Sequence, residues 1–239
     1  MSAPPTMDSA SVRLEHVRRL ALAREPSHLE ALASFLSDAE ISVRVLAVRG
    51  LGWLRIPRAA PPISRCLSDP ETAVRKWALA SLSLSGCGLE IAHRIQAMVR
   101  TDDADSVRAA ALRTLSWLGF HTAEPTIEWV LAHDEAACVL AAALEAVGRL
   151  ELVSLHGPTR SYIDHPEARV RQHALRALSR FSSTPITNTL LKCAQDTDAE
   201  TRAQVLRLLA GRDDPRSPFA PVANHASSPR PPSTQAAAA

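Results

Sequence analysis

Apolar residues return along this chain at helical spacing within one recurring phrase. Val43, Ala47, Leu51 and Leu54 fall on one stripe of a helix, and Val107, Ala111, Leu115 and Leu118 repeat that stripe further on. The phrase itself reads Val43-Arg44-x-x-Ala47, Val74-Arg75-x-x-Ala78, Val107-Arg108-x-x-Ala111 and Val170-Arg171-x-x-Ala174. Degenerate copies start at Val12-Arg13, Val139-Leu140 and Thr201-Arg202, so successive lead positions are 31, 31, 33, 32, 31 and 31 residues apart. Shorter amphipathic stretches at 27–36, 60–67, 89–99, 123–131, 154–163 and 185–194 predict a second helix in each unit. Five residues ahead of the lead position stands Asp38, Asp69, Asp102, Asp134 or Asp196, with Asp164-His165 displaced by one in the sixth copy. An aspartate so placed is expected to cap the following helix, with Pro70 at its first position.

A helical hairpin of this size cannot bury its apolar face alone, so neighbouring units must stack over a continuous core. The expectation is an all-α chain, a right-handed α-solenoid of about six helical hairpins plus an N-terminal helix. Residues 1–10 form a flexible N-terminus in this reading, 11–210 the solenoid and 211–239 a disordered Pro/Ala-rich tail. The phrase Asp-x-x-x-x-Val-Arg-x-x-Ala-Leu-x-x-Leu-Gly resembles the HEAT repeat, in the short bacterial form called the PBS-lyase HEAT-like repeat. The resemblance implies that the repeated Asp and Arg form ladders between repeats, which gives Asp38, Asp69, Asp102 and Asp196, with Arg44, Arg75, Arg108, Arg171 and Arg202, to structure. The pattern departs where Leu140 replaces Arg, where Thr201 replaces Val, and where the first copy lacks its leading Asp.

Composition narrows the choice in the same direction. Only 4% of the 239 residues are aromatic and 8 are Gly, against 46% apolar overall, which argues against β-sandwiches, barrels and Gly-dependent nucleotide folds. Net charge is +2, so attraction to nucleic acid or anionic lipid must come from a local patch. Cys66, Cys87, Cys138 and Cys193 form no CxxC pair and read as small core residues of a reducing compartment. The first ten residues lack the features of a secretory signal, and the longest apolar run, 136–144, is short of a bilayer span. A soluble, cytoplasmic, bacterial monomer is expected. The tail carries PxxP spacings at Pro215, Pro218 and Pro221 and at Pro229 and Pro232, read as an unstructured segment.

Catalytic and metal motifs are missing: Gly50/Gly52 and Gly86/Gly88 open no phosphate loop, and the nine histidines form neither HExxH nor a His-Glu pair. No enzyme activity, metal or cofactor is expected. Counting the lead residue as one, positions 3, 7 and 11 of the second helices fall between the buried stripes, toward the side that HEAT solenoids turn to their concave groove. Position 7 holds Arg18, Arg49, Ala80, Arg113, Glu145, Arg176 and Arg207; position 11 includes Trp53, Trp117, Arg149 and Arg180. Spacing of i and i+4 pairs Arg49 with Trp53 and Arg113 with Trp117, with Lys76 and Trp77 on the helix between. Arginine outnumbers lysine 25 to 2, so coding bias from a GC-rich genome competes as an explanation.

The leading functional reading is a scaffold that holds a protein partner with acidic and apolar groups in a basic, Trp-containing groove. A second is nucleic-acid binding by an alkylpurine-glycosylase-like shape, with the Arg row tracking phosphates. A third, a role like the phycobilin-lyase or cofactor-maturation subunits sharing this repeat, rests on the resemblance alone.

Overall fold

The computed structural model describes residues 9–181 and 187–212. Helix α1 (Ala10–Ala23) is followed by six hairpins. These are α2 (Leu29–Ala33) with α3 (Ile41–Trp53), α4 (Ala60–Arg65) with α5 (Thr72–Ser85), and α6 (Leu89–Thr101) with α7 (Asp105–Trp117). Then come α8 (Glu124–His133) with α9 (Ala137–Arg149), α10 (His156–Ser161) with α11 (Ala168–Ser179), and α12 (Thr187–Cys193) with α13 (Ala199–Arg212). The architecture is the expected all-α solenoid. The segments expected to be flexible, 1–10 and 211–239, lie almost wholly outside the described residues, as do the tail's PxxP spacings.

The lead valines are the centre of the core: Val43, Val74, Val107, Val139 and Val170 are fully buried, as are Ala47, Ala78, Ala111 and Ala174 one turn later. Each second helix packs along the second helix of the next repeat, while the first helices meet one another far less. The second helices thus form one continuous layer, the one that the HEAT resemblance places on the concave side, and this is the inner layer. Small residues make the close approach. A Cβ on Gly52 would lie 2.6 Å from Ser81 Cβ, and one on Gly148 would lie 2.9 Å from Ala177 Cα.

The Arg–Asp ladder is present and extends further than the resemblance assigned. Arg44 Nε and Nη2 donate to the two carboxylate oxygens of Asp69, at 2.9 and 3.1 Å, while its Nη1 donates to the carbonyls of Asp38 and Ala39. The same fork joins Arg13 to Asp38, Arg75 to Asp102, Arg108 to Asp134 and Arg171 to Asp196, over 2.6–3.3 Å. Arg202 differs, with Nη1 donating to the carbonyls of Asp196 and Thr197.

The aspartates do not cap the second helices as the spacing suggested. The helix-entry residues are Glu40, Glu71, Ala104 and Ala136, and none makes a side-chain capping bond. Each Asp instead ends the preceding helix and accepts the backbone N–H two residues on, as in Glu40 N–H to Asp38 and Ala136 N–H to Asp134, both at 2.9 Å. Folding the carboxylate onto its own turn leaves it facing the arginine of the repeat before, so turn and ladder are one device. Pro70 accordingly sits in the turn, ahead of α5. In the sixth copy it is His165, rather than Asp164, that occupies this place: its Nδ1 accepts the Glu167 N–H at 3.1 Å.

Candidate partner-binding groove

The inner layer of second helices carries the candidate site. Position 7 is exposed or half-buried in every copy, as expected. Position 3 is not uniformly part of this face: Ala109 and Ala141 are buried there, and only Lys76 among the candidates at that position is exposed. Position 4 takes its place in two repeats, with Trp77 on α5 and His173 on α11. The reason is geometric. Neighbouring second helices meet at a seam, and at the α3/α5 and α9/α11 seams Arg49, and Glu145 with Arg149, lie beside position 4 of the next helix.

At the first seam the Arg49 guanidinium lies over two indoles, 5.0 Å from the centroid of Trp53 and 4.4 Å from that of Trp77. The guanidinium of Arg24, at the end of α1, also lies 5.8 Å from the Trp53 centroid. The Arg49–Trp53 pairing was legible in the i, i+4 spacing; the bridge to Trp77 crosses between helices and was not. Trp53 is half-buried and packs on the core, while Trp77 is 40% exposed. Arg49 Nε is buried without a hydrogen-bond partner among the described residues.

The second pairing expected from spacing, Arg113 over Trp117, is replaced by an exchange between repeats. Arg113 Nε turns to Glu145 at 3.3 Å, and the indole of Trp117 is covered instead by Arg149 of α9, at 4.0 Å. Arg149 Nη2 also donates to Glu145 at 3.2 Å. Coulomb attraction to the one acid of the row decides where Arg113 goes. Trp117 still leaves 63% of its surface open.

The remaining candidates are more loosely held. Arg18 lies 3.9 Å from Glu15, and Arg207 Nε donates to the Ala203 carbonyl. Arg176 and Arg180 are exposed and make no side-chain hydrogen bond or ion pair among the described residues. His173 was not singled out by sequence, since a lone histidine on a helix carries little signal. Burial and the neighbouring Arg176 hold its imidazole below the ordinary histidine range. Among the described residues, no group of three or more His, Cys, Asp or Glu is placed to hold a metal ion, and no helix is long and apolar enough to cross a membrane.

These features define a curved stack of helical hairpins with cations and indoles on its inner layer. The chain belongs to the HEAT-repeat family, whose model matches residues 6–83 and 158–239. The repeat continues structurally through the intervening residues, where Leu140 takes the place of a ladder arginine. Among solved structures, the complex of CpcE and CpcF of phycocyanin lyase from Nostoc sp. PCC7120 is similar at 19% identity and TM-score 0.54, covering 88% of this chain and 96% of that one. The YibA protein of E. coli is similar at 16% identity and TM-score 0.62, covering 89% and 77%. Both likenesses are of fold. No curated protein sequence matches the chain.

Proposed function

We propose that this chain is a non-enzymatic scaffold that seats a protein partner with acidic and apolar groups against its inner layer. The observation that supports the reading most is Arg49 held between Trp53 and Trp77. Its guanidinium is oriented by two ring faces, and indole surface is left open beside it. Trp and Arg in such arrangements dominate binding hot spots, because they bury large area at low entropic cost and add directional charge. Trp117 under Arg149 repeats the arrangement two repeats on.

Nucleic acid is the competing ligand, since the same arginines suit phosphates. Two features favour protein: Glu145 already neutralises part of the arginine row, and the ladder arginines are committed to aspartates. The phycocyanin-lyase likeness lends no residue to the groove and remains a third reading. The discriminating experiment recovers ligands from lysate with the full chain and with an Arg49→Ala, Trp77→Ala, Trp117→Ala variant checked for folding by circular dichroism. Nuclease treatment and two salt concentrations complete it. A nuclease-resistant protein lost in the variant supports the scaffold. A nuclease- and salt-sensitive ligand supports the nucleic-acid reading, and unchanged recovery removes the groove from both.

A further inference from the structure

A small cavity of about 230 Å³ opens on the inner layer between α9 and α11, bounded by Glu145, Arg149, His173, Arg176 and Arg180. Its floor is where the helices touch most closely, at Gly148 and Ala177. Charge around it is unbalanced. Glu145 is shared by Arg113 and Arg149, at 3.3 and 3.2 Å, while Arg176 and Arg180 have no carboxylate among the described residues. Four guanidinium groups therefore meet one carboxylate. Two of the lining side chains also carry an unsatisfied nitrogen: Arg149 Nε and His173 Nδ1 are buried without a hydrogen-bond partner among the described residues. Buried polar atoms are ordinarily paired, so the orphaned guanidinium nitrogen, a donor only, marks a shortage of acceptors around these arginines.

We infer that this cavity binds a carboxylate presented by a peptide, with the exposed Arg176 and Arg180 gripping its oxygens and Arg149 and His173 lining the site beside them. The inference rests on the groove reading and names the chemistry of one contact within it. Planar guanidinium groups match a carboxylate in bidentate fashion. The apolar floor of Leu144, Gly148 and Ala177 suits the methylene stem of an acidic side chain. A phosphate would bring a second negative charge toward Glu145, so the carboxylate is favoured. For His173, the charged groups that face it are Arg169 and Arg176 on its own helix, Glu145 from α9 and Arg113 from α7. A bound carboxylate adds a negative charge to that set and draws the imidazole toward its protonated, donating form.

The test uses the full chain and two defined probes. One is an acetylated and amidated peptide of alternating Glu and Leu; the other is a neutral Gly/Leu peptide with a free terminal carboxylate. Binding is read by calorimetry for the wild type, for Arg176→Gln with Arg180→Gln, and for Arg58→Gln as an exposed control on the layer of first helices, outside the groove. The double variant is expected to lose about tenfold or more in affinity for whichever probe binds, with the control unchanged. The probe that binds says whether the carboxylate comes from a side chain or a chain end. Acetate is expected to move the His173 ring titration, followed by NMR, to higher pH. Failure of both probes, equal loss in the Arg58→Gln control, or competition by inorganic phosphate stronger than by acetate would each overturn the proposal. Loss of Glu/Leu-peptide binding in Arg49→Ala with Trp77→Ala, but not in the cavity variant, would reject the cavity while keeping the groove. Insensitivity of both variants would reject the groove itself.

Discussion

Leu140 and His165 stand where the neighbouring repeats carry an arginine and the aspartate it grips, so one rung of the ladder is replaced at both ends together. Leu140 is buried, and His165 keeps the turn by accepting the Glu167 N–H in place of a carboxylate. Losing only one partner would have left a charge partly buried and unpaired, which costs more than losing both. We expect Leu140→Arg and His165→Asp each to destabilise the chain singly. Combined, they should recover about 1–3 kcal/mol of coupling in a double-mutant cycle read by urea unfolding. Simple additivity of the two would show that the positions do not form a rung.

Arg75 makes the densest rung, joining Asp102, Asp103 and the carbonyls of Asp69 and Pro70. Arg75→Gln strands Asp102 in a part-buried site and should cost about 3–5 kcal/mol. Arg18→Gln, whose exposed partner Glu15 is 3.9 Å away, should change stability by less than about 0.5 kcal/mol. Comparable effects of the two would contradict the structural role given to the ladder.

The ladder also sets the response to acid. Arg13 and Arg171 hold Asp38 and Asp196 below the usual aspartate range; at Asp102 burial pulls upward, and the Arg75 bond with the Ala104 N–H outweighs it. Because the folded values lie below the unfolded ones, this stability is complete above about pH 4 and is lost as pH falls through the folded values. Acid unfolding followed by circular dichroism should therefore steepen below about pH 4, and less so in Arg75→Gln. His173 acts in a higher window. Its folded value is also depressed, so its contribution is complete above about pH 6.5 and declines as pH falls through the lower folded value. A stability profile equally sloped in His173→Gln would contradict that assignment.

Much of the fold was legible in the sequence because stacking forces the same answer seven times. Val43, Ala47 and their counterparts announce a buried stripe at helical spacing, and the lead spacing of 31–33 residues announces the hairpin. What spacing alone could not convey were contacts that cross from one repeat to the next. Arg49 reaches Trp77, Arg149 replaces Arg113 over Trp117, and Asp38 folds onto its own turn rather than capping a helix. His173 drew no notice until a cavity was seen beside it. A sign available in sequence was the glycine at the same place in two second helices, Gly52 and Gly148, which marks where those helices come close to the next.

That close approach is itself testable. Gly148→Ala places a methyl group 2.9 Å from the Ala177 backbone, and Gly52→Ala places one 2.6 Å from Ser81. Each should destabilise by about 1–3 kcal/mol through overpacking. Gly157→Ala, which meets nothing within 4 Å, serves as the comparison and should be near neutral by thermal unfolding.

The central claim is that the partner lies on the inner layer of second helices, and site-specific photo-crosslinking tests it most directly. A benzophenone side chain replaces Ala80, exposed at position 7 of α5, or Glu128, exposed on α8 of the outer layer. The account predicts that the nuclease-resistant partner couples to position 80 and not to position 128, with coupling abolished by Arg49→Ala and Trp77→Ala. Coupling at position 128 alone would place the partner on the outer helices and contradict the account.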